Sequence, residues 1–167
     1  MNKLKKILSF IPLLLCIMMI FGFSSQNGSQ SGSMSRKIAK KIIATEENMG
    51  LWSGDDKEYS LKVEDVNEKI RIMGHAGEHA LLMFSFFVPV TVILKKDDKR
   101  LRFPLRLAIA FVCTVLCACL DELHQTFVRG RVGDPLDVLV DSIGAAIMGL
   151  AITLINVIHG LLSKKRA

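Results

Sequence analysis

The chain has 167 residues, half of them apolar and 23% charged, with a net charge of +6 and a mean hydropathy of +0.37. The apolar residues fall in long uncharged blocks, which excludes a disordered chain and an ordinary soluble globule of this length. The excess positive charge flanks those blocks, so it reads as a membrane-topology signal and argues against a nucleic-acid partner.

The blocks predict an all-α integral membrane protein. One domain over 1–167 holds four transmembrane helices, near 7–26, 75–94, 106–125 and 138–162, and a long outer loop with one or two short amphipathic helices. A hydrocarbon core of ~30 Å takes about 20 helical residues. The first block, 7–23, is uncharged and follows Lys3, Lys5 and Lys6. A signal peptide looks similar, but no small-x-small cleavage site follows Phe23, so a retained helix is expected. Residues 13–16 resemble a lipoprotein box without the small residue that should precede Cys16. The stretch 24–35 is rich in Ser, Gly, Gln and Asn and reads as a loop. Ser35 is placed to cap a helix with Ile38, Ile42 and Ile43 on one side and Arg36, Lys37, Lys40 and Lys41 on the other. Such a helix suits the bilayer surface or, equally, a solvated outer domain.

Residues 48–60 show little periodicity and read as a loop. Val63, Val66, Ile70 and Met73 recur at helical spacing, so the second helix is expected to begin outside the membrane. Its uncharged part is 80–94, and the third and fourth blocks are uncharged over 107–120 and 142–163. Gly144, Ala145, Ala146 and Gly149 offer small surfaces for close helix packing. Cys16, Cys113, Cys117 and Cys119 all fall within predicted spans, so no extracytoplasmic disulfide framework is implied.

Basic residues set the orientation. The N-terminus carries +3, the 95–106 loop +4 and the C-terminal Lys164, Lys165 and Arg166 +3, against −1 for 24–79 and −2 for 121–137. Basic loops stay in the cytoplasm. The expectation is a multi-pass cell-membrane protein with both termini cytoplasmic and loops 27–74 and 126–137 extracytoplasmic.

Ionisable residues cluster where the spans meet those outer loops. His75, Glu78 and His79 share one helix face. Such groups cost a few kcal/mol or more in hydrocarbon, so they should face a polar cavity or each other. His75-x-x-Glu78-His79 also matches the inverted zinc-protease motif, with Asp121 or Glu122 as the third ligand. That is a minor reading, and Gly77 weakens its helix. The second cluster is Asp121, Glu122, His124 and Gln125, where a carboxylate beside an imidazole suits a general base or a metal ligand. Next, Gly130, Gly133 and Pro135 impose turns. Arg129 and Arg131 suit bidentate contact with an anionic group, or pairing with Asp134, Asp137 or lipid headgroups. Asp137 opens the fourth span. Asp141, one turn further in, needs a partner such as Arg131 or His75.

Four stretches together resemble the VanZ-like family over nearly the whole chain. They are Ser24-Ser25-Gln26, His75 with Glu78, Asp121-Glu122-x-His124-Gln125-x-Phe127-x-x-Gly130-Arg131, and Asp137-x-x-x-Asp141-x-x-Gly144. The chain departs from the family pattern at His79 (usually aromatic), Arg129 (often Pro) and Asp141 (often Asn). The resemblance implies the cell envelope of a Gram-positive bacterium and low-level resistance to the glycopeptide teicoplanin.

Taken together, a polar site at the outer leaflet is expected to bind, and in the fuller version chemically alter, an anionic envelope lipid, a lipid-linked wall precursor or a glycopeptide. Glu122 and His124 form the acid–base pair, oriented by Asp121 and Gln125, with His75 and Glu78 as floor. Arg129, Arg131, Asp137, Asp141, Ser25 and Gln26 are the ligand-binding set. A divalent metal would fall to His75, His79, Glu122 or His124. The alternatives are a non-catalytic binding or structural protein, then a small oligomeric transporter, then the zinc protease.

Overall fold

Each uncharged block satisfies its own backbone hydrogen bonds as a helix, the only open-ended way to cross a bilayer. The computed structural model describes residues 3–94 and 99–164, with 29–31 and 99–102 described by their backbone alone. Helix α1 is Lys3–Leu8, α2 Ile11–Ser24, α3 Gly28–Asn48, α4 Asp56–Ile93, α5 Lys99–Gln125 and α6 Pro135–Lys164. No strand occurs among the described residues. Four segments are long and apolar enough to cross a membrane: Lys3–Ser24, Asp56–Ile93, Phe103–Gln125 and Pro135–Lys164. Leu14, Leu15, Leu116 and Leu154 are all more than half exposed. For helices of this kind the bilayer is the solvent, so outward apolar faces carry no penalty.

The interior is correspondingly thin. Leu13, Cys16 and Ile20 of α2 pack on Leu82 of α4. Met83 of α4 packs with Ala110 of α5 and Ala145 of α6. Helix α4 is the centre of the bundle and touches α1, α2, α3, α5 and α6. Its approach to α6 depends on Gly144, where a Cβ would run into the main-chain oxygen of Ala76. Small residues permit such close contact, and dispersion then holds the helices together without a hydrophobic drive.

Four expectations change. The 24–35 loop shrinks to 25–27, because α3 starts at Gly28. Ser35 is not its cap: it lies inside the helix, where its hydroxyl donates to the Gly32 carbonyl at 3.4 Å. Helix α3 is 21 residues long rather than short, and it packs against α4. Ser35, Ala39 and Ile43, at i, i+4 and i+8, are buried, while Ile38 and Ile42 stay about 40% exposed. Tertiary packing thus overrides the poor helix propensity of the Ser/Gly stretch. The 48–60 loop also contracts. Asp55 accepts hydrogen bonds from Lys57 and Glu58 main-chain N–H groups, and Glu58 accepts from the Asp55 N–H, a complete capping box.

From that cap α4 runs 38 residues, about 57 Å at 1.5 Å per residue, so its first turns extend well beyond a bilayer core, as expected. The charges assigned to 95–98, Lys165 and Arg166 lie outside the described residues.

Candidate functional site

The end of α2, the start of α3 and the loop 126–134 meet at one end of the bundle. The Gly28 N–H donates to the Arg129 carbonyl at 3.3 Å. A Cβ at Gly28 would overlap the Gly130 carbonyl, and Gly130 itself has φ +75°, so both positions favour glycine for different reasons. Arg131 makes the second link. Its Nη1 donates to Gln125 Oε1 at 2.8 Å, its Nε to the Gln26 carbonyl at 3.3 Å and its Nη2 to the Phe23 carbonyl at 3.4 Å. The third link joins Ser25 Oγ and His124 Nε2 at 3.2 Å, with the Phe21 ring 5.8 Å from the imidazole.

These links enclose a cavity of about 240 Å³. Phe23, Met34, Ile38 and Ile70 supply apolar wall, and Ser24, Gln26, Arg71, His75, Glu78, Asp121, Gln125 and Arg131 supply the polar groups. A second cavity of about 270 Å³ is lined by Gly28, Gly32, Gly130, Val132 and Asp137. Arg71, Gln125 and Arg131 line both, so they form the partition.

Behind the first cavity lies a buried polar cluster. Asp141 is almost wholly enclosed; its Oδ1 lies 3.0 Å from His79 Nδ1 and 3.4 Å from His75 Nδ1. His75 lines the cavity, whereas Asp141 and His79 do not. Of the two partners expected for Asp141, His75 is found and Arg131 is not; His79 takes that place. Asp121 Oδ2 accepts from Gln125 Nε2 at 3.0 Å. Asp121 Oδ1 and Ser24 Oγ are buried without a hydrogen-bond partner.

Adjacent residues in the 121–125 cluster take different paths. Asp121 and Gln125 line the cavity. Glu122 and His124 do not. Glu122 Oε1 accepts the Asp134 N–H at 2.6 Å and so closes the loop, packed beside Gly133. His124 holds Ser25. Arg129 is exposed, and Asp137 lines only the second cavity. Of the two third zinc ligands offered for His75 and His79, Glu122 is held by the Asp134 N–H, whereas Asp121 lines the cavity with His75 while accepting from Gln125. Among the described residues no group of three or more His, Cys, Asp and Glu is arranged to hold a metal ion.

Arg71 is the residue the sequence reading passed over. It stands one turn before His75, so 71, 75 and 78 fall at i, i+4 and i+7 on one face. Its helical register is already legible, because Val63 to Met73 recur at helical spacing; the cavity that this face lines is not. Burial lowers the Arg131 pKa below the ordinary guanidinium value, and the nearby Arg71 charge lowers it further. Arginine nevertheless stays protonated at any physiological pH, so two like charges flank the partition.

The VanZ/LLP1 family model matches residues 9–156, most of the chain. No curated protein and no solved structure matches it.

Proposed function

Because this chain belongs to the VanZ/LLP1 family, a multi-pass membrane protein with four spanning helices, we propose that it binds an anionic amphiphile of the cell envelope in the α2–α5 cavity and thereby contributes to glycopeptide resistance of the teicoplanin type. In this reading both termini are cytoplasmic, the loops 27–74 and 126–137 face the cell exterior, and the host is Gram-positive. Lipid-linked wall precursors and glycopeptides are the partners considered.

One observation carries the reading. Polar groups from α2, α4 and α5 and from the loop 126–134, over a hundred positions apart in the chain, line one cavity with apolar walls. Few convergent polar groups in an apolar cleft are what a small-molecule site requires. Arg131 and Arg71 supply the positive field. His75, Glu78, Asp121 and Gln125 supply the floor. Glu122, His124, Ser25 and Gln26 hold the walls in register.

A second reading, turnover, has one specific support. Asp141 stands behind His75 as an orienting carboxylate stands behind a general base. The two readings separate on whether purified protein converts a bound envelope lipid or retains it stoichiometrically. The common test is susceptibility of a Gram-positive host expressing the protein. His75→Ala and Arg131→Ala should accumulate in the membrane yet lose the teicoplanin phenotype; full resistance in both would refute the proposal.

A further inference from the structure

We infer that the cavity takes a zwitterionic phospho-amphiphile, one whose head carries an ammonium group beside its phosphate, in preference to a purely anionic lipid. This rests on the amphiphile-binding reading above: it keeps the anionic phosphate of that head group and adds an ammonium group beside it.

The polar lining divides into two zones of opposite sign. Arg71 and Arg131 stand on the partition and face both cavities. Glu78 and Asp121, with His75, line the first cavity alone, away from the second. The basic zone has spare charge. Arg131 spends its donors on the neutral oxygens of Gln125, Gln26 and Phe23 rather than on a carboxylate. Arg71 forms no ion pair among the described residues. Asp137 lines the second cavity but is ion-paired to neither. Two guanidinium groups facing the same space repel until an anion joins them, and arginine suits the oxygens of a phosphate.

The acidic zone has spare acceptors. Asp121 is 3% exposed, and its Oδ1 is buried without a partner, as is Ser24 Oγ. A buried carboxylate oxygen without a donor is costly. Another anionic group placed there would add repulsion. An ammonium group brings three donors and a positive charge, matched to Asp121 Oδ1, Ser24 Oγ and Glu78. Phe23, Met34 and Ile38 form the apolar wall along which the chain of such a lipid lies.

The test uses full-length protein purified in detergent and stripped of lipid. It is titrated with lysophosphatidylethanolamine, lysophosphatidylglycerol and lysophosphatidic acid of one acyl chain, with binding read by native mass spectrometry. The ethanolamine lipid should bind at least about tenfold more tightly than the other two. Asp121→Asn, which keeps the acceptor for Gln125, should bring it down to the level of the other two. Arg71→Gln should weaken all three. Should Asp121→Asn fail to fold, Glu78→Gln gives the same comparison. Equal binding of the three lipids, or indifference to both carboxylate variants, overturns the zwitterion inference and leaves the amphiphile reading standing. Absence of binding by all three overturns both.

Discussion

At Gly144 a single added methyl tests the packing on which the site depends. In Gly144→Ala the new Cβ meets the Ala76 main-chain oxygen, with the carbonyl carbon and Cα of the same residue at 2.6 and 2.7 Å. These are backbone atoms of α4, so no rotamer change relieves the overlap; the two helices must move apart. Overpacking of this kind costs about 1–3 kcal/mol. The displacement also acts on the buried cluster, because Ala76 adjoins His75, and Asp141 shares a face of α6 with Gly144. The His79–Asp141 separation of 3.0 Å leaves no slack. Taking a buried carboxylate away from its imidazole partner costs about 3 kcal/mol. The two effects share one movement and do not simply add, so a loss of about 3 kcal/mol or more is expected. At roughly 2–4 °C per kcal/mol for a chain of this length, Tm should fall by at least about 6 °C. The measurement is a thermal melt in detergent followed by size exclusion. Gly77→Ala is the internal control: it lies on the same helix with nothing within 4 Å, and helix propensity should raise stability by up to about 1 kcal/mol. If Gly144→Ala melts within about 1 °C of the parent chain, the close α4–α6 contact is not what holds the cluster.

Glu122→Ala should cost about 1–3 kcal/mol by leaving the Asp134 N–H unpaired, whereas Glu122→Gln keeps an acceptor and should melt near the parent; equal losses in a thermal melt would assign the effect to charge instead. Arg131→Lys should destabilise by about 1–3 kcal/mol, because one ammonium cannot reproduce a fork that reaches Gln125, Gln26 and Phe23 together; limited proteolysis should show faster cleavage within 126–134, and an unchanged rate would count against the link. In a cysteine-free background, Met49→Cys and Val132→Cys, both highly exposed, should react with a membrane-impermeant maleimide added to intact cells. Labelling of one alone would place the two segments on opposite faces of the membrane and exclude a shared site.

How far the sequence could be read differs from one residue to the next. The four spans were legible because the mean hydropathy of twenty neighbours is a one-dimensional property. The cap at Asp55–Glu58 was equally local, yet it lay inside a stretch without periodicity and went unread, which hid the first turns of α4; Arg71 lay in the part already legible as helix, and only the fold shows which cavities it lines. The start of α3 was not legible. Its Ser/Gly sequence favours a loop, and only burial of Ser35, Ala39 and Ile43 against α4 makes it a helix.

The candidate site divides in the same way. The residue types and their approximate depth could be read from the sequence, because charged groups beside long apolar blocks must gather at helix ends or in shared polar space. What each one faces could not. Asp121 and Glu122 are neighbours in the chain, but a helix rotates them about 100° apart, which sends one carboxylate to the cavity and the other to the Asp134 N–H. His75 and His79 meet Asp141 rather than a metal partner because Gly144 lets α6 come within backbone contact of α4. The sequence by itself determined the membrane, the number of spans and the chemistry available; the rotation and spacing of the helices, set by small residues in contact across the fold, decided which of those groups meet.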